Sequence, residues 1–432
     1  MPQIPTDSPA SSVTRRTMIK ATAAAASFAA LGTNFAHAAG SDRIKVGLVG
    51  LGGRGRGAAG NITDADPKGV VIHTIGDLFP DKIEETKKMW AGKSKEQFDF
   101  GDRTFSGWDA YKGVLSTDID YVILATPPGF RPMMIKAAIE AGKHVFAEKP
   151  VAVDAPGCRA IMDIAKVAES KNLGIVAGTQ RRHQPLYNDM VKRVVEDKAI
   201  GDIISGQVYW IGNTLWNKPR QPGWSDMEAQ IRNWMYYTWL SGDLIVEQHV
   251  HNIDIANWIM GEVPKYAISL GGAQARVGPE YGSTFDHFAT DFEYSGGRHV
   301  MSLARQQDGC YNRTAESFQG TGGMVKVSEG LIEPTKGDKF RFPAKEIARI
   351  NPYEQEHADF LASIRAGKPL NEGKRIAESV LTAIMGRMSA YTGQLVRWTD
   401  AYKSNHSLMP AKLEFGPMPF PPIPIPGKFK IA

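Results

Sequence analysis

Lys149 and His251 stand in surroundings suited to proton chemistry on a hydroxyl group. Lys149 belongs to Glu148-Lys149-Pro150, which closes the apolar run His144–Ala147. An ammonium at the end of a buried strand can hydrogen-bond a hydroxyl and lower its pKa, while Pro150 fixes the backbone beside it. Glu148 can hold the lysine or accept from a ribose. His251 lies in Glu247-Gln248-His249-Val250-His251-Asn252-Ile253-Asp254. On one continuous helix Glu247 and His251 share a face at i, i+4, Asp254 follows at i+3 from His251, and His249 points elsewhere. A carboxylate that orients an imidazole makes it a better general base. The same Glu–His spacing also suits a zinc ligand pair or a hydrogen-bonded structural histidine. Hydroxyl oxidation with a lysine present needs no metal, so none is expected. Asn252 beside His251 is a candidate substrate contact. Arg182, in Arg181-Arg182-His183, reads either as a substrate or cofactor contact or as part of a solvated cluster.

A carbinol that loses its proton needs somewhere to send a hydride, and the chain supplies a place for the acceptor. The apolar run Ile44–Val49 leads directly into Gly50-Leu51-Gly52-Gly53-Arg54-Gly55, and a helix opens behind it. In that context the glycines form a dinucleotide turn. Gly50 permits the tight bend, Gly52 lets backbone approach a pyrophosphate, and Gly55 lets helix pack on strand. Gly53 continues the turn, and the helix N-terminus faces the phosphates. Arg54 and Arg56 either add charge there or are merely solvated. Asp77 ends the next strand, where its carboxylate can accept from ribose hydroxyls and would repel a 2′-phosphate; NAD is therefore favoured over NADP. Asp77 also reads as a helix cap before Phe79-Pro80-Asp81. Thr126-Pro127-Pro128 closes a third strand, at the edge where doubly wound sheets bind ligands.

These groups need a frame that brings strand ends together. Residues 44 to 150 alternate short apolar strands with helices, and a further helix (Ala155 to Lys171) and strand (Gly174 to Gly178) follow, which predicts a doubly wound parallel sheet in an NAD-binding domain over 41–180. After residue 185 the regular alternation stops. Gly206–Ile211, Tyr266–Leu270, His287–Tyr294 and Arg298–Ala304 read as strands, with Ser295-Gly296-Gly297 as a hairpin turn. The fold class is thus α/β, with a second α+β domain over 181–400 built on an open, largely antiparallel sheet. Helices are expected over Glu247–Met260, Pro352–Ala366 and Ala377–Tyr391. Asn233-Trp234, Tyr236, Tyr237 and Trp239 are either a sugar-stacking cleft or core packing. Residues 401–432, with Pro417-Met418-Pro419-Phe420-Pro421-Pro422-Ile423-Pro424-Ile425-Pro426, form an extended arm.

The remaining bounds are broader. At 432 residues with 42% apolar content the chain can bury two cores. A net charge of +5 without an aromatic-interleaved basic block argues against nucleic-acid binding. Cys158 and Cys310 form no metal-spaced set. Residues 1–38 read as a twin-arginine signal peptide: Thr14-Arg15-Arg16-Thr17-Met18-Ile19-Lys20, a short apolar stretch, then Ala36-His37-Ala38 as cleavage site. The apolar stretch is too short to span a bilayer. The expected location is the periplasm or outside the cell, reached already folded.

Taken together, the glycine turn, Ala141-Gly142-Lys143-His144-Val145 running into Glu148-Lys149-Pro150, His251-Asn252-Ile253-Asp254, and Gly386-Arg387-Met388-Ser389-Ala390-Tyr391-Thr392-Gly393 resemble the glucose–fructose oxidoreductase/inositol dehydrogenase/MocA family. The resemblance runs from Arg43 to Trp398. It implies a Rossmann domain joined to an open sheet that often forms dimers or tetramers, a tightly held nicotinamide dinucleotide, and a sugar or cyclitol substrate. The family's catalytic lysine falls on Lys149, its histidine on His251, and the acid four before it on Glu247, where many members have Asp. Many members also carry a histidine after the Thr-Pro turn; here Phe130-Arg131-Pro132 stands instead. Some relatives are exported with cofactor retained, and some of those hydrolyse glycosides by transient oxidation, elimination, water addition and re-reduction. An exported chain has no external supply of NAD, so the cofactor must be recycled in place. The expectation is an oxidoreductase moving hydride between a sugar or polyol carbon and NAD. The redox-neutral glycosidase is the alternative, and a non-catalytic NAD- or sugar-binding protein is a third reading that would need neither Lys149 nor His251.

Overall fold

A computed structural model describes residues 43–347 and 349–431; the twin-arginine and cleavage motifs lie outside the described residues. The first sheet contains β1 (Ile44–Val49), β2 (Val70–Asp77), β3 (Thr104–Ser106), β4 (Tyr121–Leu124), β5 (His144–Ala147) and β6 (Ile175–Ala177). Its order is β3-β2-β1-β4-β5-β6, with every neighbouring pair parallel. The central strands are buried along nearly their whole length. That is why they read as continuous apolar runs rather than alternating ones. The order reverses at β1, between β2 and β4, and opens the crevice in which such sheets bind ligands.

The second sheet contains β7 (Ile203–Gly212), β8 (Tyr266–Gly272), β9 (His287–Tyr294), β10 (Arg298–Gln306), β11 (Arg313–Gly320), β12 (Gly323–Lys326), β13 (Leu331–Pro334), β14 (Phe340–Arg341) and β15 (Val396–Arg397). Its order is β14-β13-β12-β11-β7-β10-β9-β8-β15. β7 and β10 run parallel; the other pairs are antiparallel. Alternate residues of β9 are buried, the pattern of a sheet packed on one face. One face carries helices and the other leaves Ile268, Leu270 and Met301 exposed. The helix Gly373–Thr392 is buried along most of its length, packs on the helix Ala155–Ser170 and on β8, and ends at Gly393 in the left-handed region. It thereby links the two sheets.

The expected continuous helix Glu247–Met260 is in fact two, Leu244–Glu247 and Val250–Met260. In an unbroken helix the Glu247 carbonyl would accept from the His251 amide. Here it accepts from Lys149 Nζ at 2.6 Å, and the chain turns at Gln248-His249. Among the described residues no helix is long and apolar enough to cross a membrane, and no group of three or more His, Cys, Asp or Glu is placed to hold a metal.

Candidate active site

The glycine turn lies where β1 delivers it, and its glycines divide into two kinds. Gly50 has φ +95°, and a Cβ there would lie 2.7 Å from the Ala125 carbonyl carbon; at Gly55 it would lie 1.8 Å from the Gly50 oxygen. Those two glycines serve the fold itself. A Cβ on Gly52 or Gly53 would meet nothing within 4 Å. Both instead line a cavity of 480 Å³ shared with Arg54, Asp77, Thr126 and Pro127. The helix Gly53–Ala65 begins without a side-chain cap or an acidic residue in its first turn. A helix N-terminus with free amides lining this cavity fits a dinucleotide pyrophosphate.

Asp77 accepts from the Leu51 amide at 2.6 Å and the Phe79 amide at 2.9 Å. It therefore pins the turn from below while lining the cavity, and burial raises its pKa. Arg56 hydrogen-bonds the Leu51 carbonyl at 3.0 Å rather than reaching outward. Arg54 lines the cavity but is bound on its guanidinium by Glu148 and lies 4.7 Å above the Tyr353 ring. Glu148 thus holds Arg54, not the lysine beside it. Lys82, Lys218 and Arg232 also reach the Asp77 end of the cavity. Lys82 pairs with Glu85 and Arg232 with Asp81 and Glu228, so their charge is largely answered within the protein.

Lys149 follows β5, one strand beyond Thr126-Pro127, and the Lys149–Pro150 bond is cis. Its ammonium bonds both the carbonyl (2.6 Å) and the carboxylate (2.9 Å) of Glu247, with both side chains largely buried. The other Glu247 oxygen accepts from Gln248. Glu247 therefore positions Lys149, not His251, because the break after Glu247 rotates it off the face that a continuous helix would give. His251 is buried and stacks on Trp210, ring centroids 5.7 Å apart. Burial holds its pKa well below the usual imidazole value, and the nearby Lys149 and Arg181 cations add to the effect. Its Nδ1 has no hydrogen-bond partner. A neutral imidazole next to an ammonium is equipped to accept a proton from a hydroxyl held by that ammonium.

Other expected contacts go elsewhere. Arg182 binds Asp254 at 2.8 and 3.1 Å and stacks on Trp258 at 4.0 Å, so its charge is answered within the protein rather than by solvent. Asp254 also takes Arg375 (2.9 Å) and Ser379 (2.8 Å); Arg182 first, then these two, hold its carboxyl well below the usual range against the opposing effect of burial. Asn252 is buried with its amide on Glu316 at 2.6 Å. His249 bonds Ser302 at 2.7 Å. Tyr236, Tyr237 and Trp239 are core residues; Trp234 reaches the cavity. Cys158 is buried and Cys310 exposed, both as thiols.

The sequence reading assigned Arg131 and Trp210 no role. Arg131 is buried and braces the turn through the Pro150 carbonyl at 2.6 Å; burial lowers its pKa to about 10. Its position after the Thr-Pro turn was the available signal. Trp210 lies on β7, and no local pattern marks it as the partner of His251. Trp210 and Gln248 also line a second cavity of 410 Å³ with Asn213, Gln306, Asn312 and Arg313. That donor and acceptor set suits a polyhydroxylated ligand.

The parallel sheet, its bare glycine turn and the adjoining Lys149–His251 pair define a dinucleotide-binding enzyme architecture. Residues 44–175 match the family described as the oxidoreductase family with an NAD-binding Rossmann fold, Gfo/Idh/MocA. That stretch is an NAD-binding Rossmann domain of the oxidoreductase type, with NAD as its cofactor. It is 26% identical over 219 residues to 2,7-anhydro-N-acetylneuraminate hydratase of Escherichia coli strain K12, an alignment covering 50% of this chain and 53% of that one. It is 22% identical to inositol 2-dehydrogenase of Rhizobium meliloti strain 1021, across 78% of this chain and 91% of the relative. Scyllo-inositol dehydrogenase from Lactobacillus casei, solved with NAD(H) and scyllo-inositol, shares the fold with a TM-score of 0.63 and 21% identity over 83% of this chain and 99% of that one.

Proposed function

We propose that the protein moves hydride between a sugar or polyol hydroxyl carbon and a tightly bound NAD. Bound NAD would supply the hydride acceptor; Gly52, Gly53, Asp77, Thr126 and Pro127 are placed to hold it. Lys149, fixed by the carbonyl and one carboxylate oxygen of Glu247, hydrogen-bonds the substrate hydroxyl and favours its ionised form. His251, kept neutral by burial, takes the proton at its imidazole. Glu247 acts as a positioning residue. The observation that carries this reading is the Lys149 ammonium held by Glu247 at the carboxyl edge of the dinucleotide-binding sheet, with His251 buried against Trp210 on the helix that follows Glu247.

A second, redox-neutral reading is supported by the hydratase among the relatives, since adding water moves no net electrons. In that case the same groups perform a transient oxidation within glycoside cleavage. The twin-arginine motif supports export to the periplasm, which favours a cofactor recycled within each turnover. The open face bearing Ile268, Leu270 and Met301 supports a dimer or tetramer. To test the assignment, the purified protein is titrated with sugars and polyols while absorbance of reduced nicotinamide is followed. A rise in that band with a sugar sustains the oxidoreductase. Release of aryl alcohol from aryl glycosides without added NAD would move the assignment to the glycosidase, and neither signal with NAD bound would leave only binding.

A further inference from the structure

Among the described residues, the chain beyond the helix Trp398–Lys403 forms no helix or strand, yet it is pinned at many points. Arg159 holds the Ser404 carbonyl at 2.7 Å and the Asn405 side chain at 2.9 Å. Asp154, which also caps the helix Ala155–Ser170, accepts from the Leu408 amide at 2.8 Å. Further on, the Met227 amide donates to Gly416, the Met418 amide to Asp226, and the Gln230 side chain to Met418, at 3.2, 3.1 and 3.1 Å. The last segment is fastened by Gly427 on Thr392 and by Phe429 against Tyr391.

Between the pins at 408 and 416 the arm crosses the cofactor cavity. Leu413 lines it directly. Phe415 packs on Phe79 (5.9 Å) and Trp108 (5.1 Å), two residues that line the same cavity beside Asp77. Asp77 marks the ribose of the adenosine half, so this is the adenine end. Trp216 and Trp234 wall the same cavity from the segment before Thr238. An extended segment with anchors on both sides has little slack, so a ligand that leaves at this end must displace it.

The geometry points to residues 408–416 as a clamp on the adenosine half of NAD, with Leu413 in contact with the cofactor and Phe415 locking the segment onto Phe79 and Trp108. The clamp slows cofactor release, as a chain working without external NAD requires. This inference rests on the NAD reading above. The direct test uses the full-length mature protein and two variants, Leu413→Ala and Phe415→Ala. Phe415 is 44% exposed, so its truncation leaves the core intact; thermal unfolding without NAD verifies this for both. Holoprotein is passed through gel filtration, and retained NAD is measured after denaturing release. The dissociation rate is then followed while a dehydrogenase scavenges released NAD. Expected is full retention by the parent chain and release faster by about tenfold in each variant, the effect of losing one apolar side-chain contact. Unchanged release rates in both variants, with NAD bound by the parent, would overturn the clamp and leave the NAD assignment standing. A parent chain that binds no NAD would overturn both.

Discussion

The dinucleotide turn and the Lys149–His251 cluster lie close together but are built in opposite ways. The turn is made from one contiguous stretch whose backbone does the work. The cluster draws Lys149 from the end of β5, Glu247 and His251 from two short helices, and Trp210 from β7. A backbone site carries its geometry in glycine spacing, whereas a side-chain site depends on which of several polar neighbours each group reaches. The cluster contained four acids or amides on one short segment, and three of them found partners far away in sequence: Glu247 met Lys149, Asn252 met Glu316, Asp254 met Arg182 and Arg375. The lesson is that buried polar groups are satisfied by the nearest complementary group in space, and sequence proximity is a poor guide to which one that is.

The sharpest break between the two regions should come from the turn. Gly55→Ala places a Cβ 1.8 Å from the Gly50 oxygen, so soluble folded protein should be lost, as read by circular dichroism. Gly52→Ala meets nothing within 4 Å and should leave thermal unfolding without NAD unchanged. It should still weaken NAD binding by roughly 10- to 100-fold, the cost of one methyl crowding a packed ligand, measurable by calorimetry. Equal behaviour of the two variants would erase the division between fold glycines and ligand glycines.

In the cluster, Lys149→Ala should retain NAD and lose hydride transfer by about 10²- to 10⁴-fold in single-turnover rate. Full activity would remove Lys149 from the mechanism. Asp254→Ala should cost roughly 3–5 kcal/mol in denaturant unfolding, because it strands the buried Arg182 and Arg375 charges. A loss of turnover with unchanged stability would instead return Asp254 to His251. Glu247→Gln keeps an acceptor for Lys149 and removes the charge, so turnover should fall only about tenfold. The acid limb of its pH–rate profile should stay where it is in the parent protein, since that limb belongs to His251.

The gentlest effect concerns protons. His249, His251 and His357 are buried, and desolvation lowers their folded-state pKa values, that of His249 to about 3. Unfolded histidines bind protons below about pH 6.5. Stability from these groups is therefore complete above that pH and lost progressively as pH falls toward their folded values. The melting temperature should decline from pH 7 to pH 5, and the acid limb for hydroxyl oxidation should lie below about 6.5. A limb at or above that value would mean His251 is solvated and charged in the working enzyme.

From its residues alone this chain specified the parallel sheet, the glycine turn, the strand-end positions of Asp77, Thr126 and Lys149, and the extended C-terminal arm. Short apolar runs, glycine spacing and proline content constrain backbone over a few residues at a time, and local sterics enforce them. What only the tertiary structure decided was the fate of the long-range groups: that Lys149 breaks a helix by taking the Glu247 carbonyl, that Arg182 serves Asp254, that Trp210 backs His251, and that Leu413 closes the cofactor cavity. Each is a choice among partners far apart in sequence, made by packing, charge pairing and the cost of leaving a buried polar group unanswered.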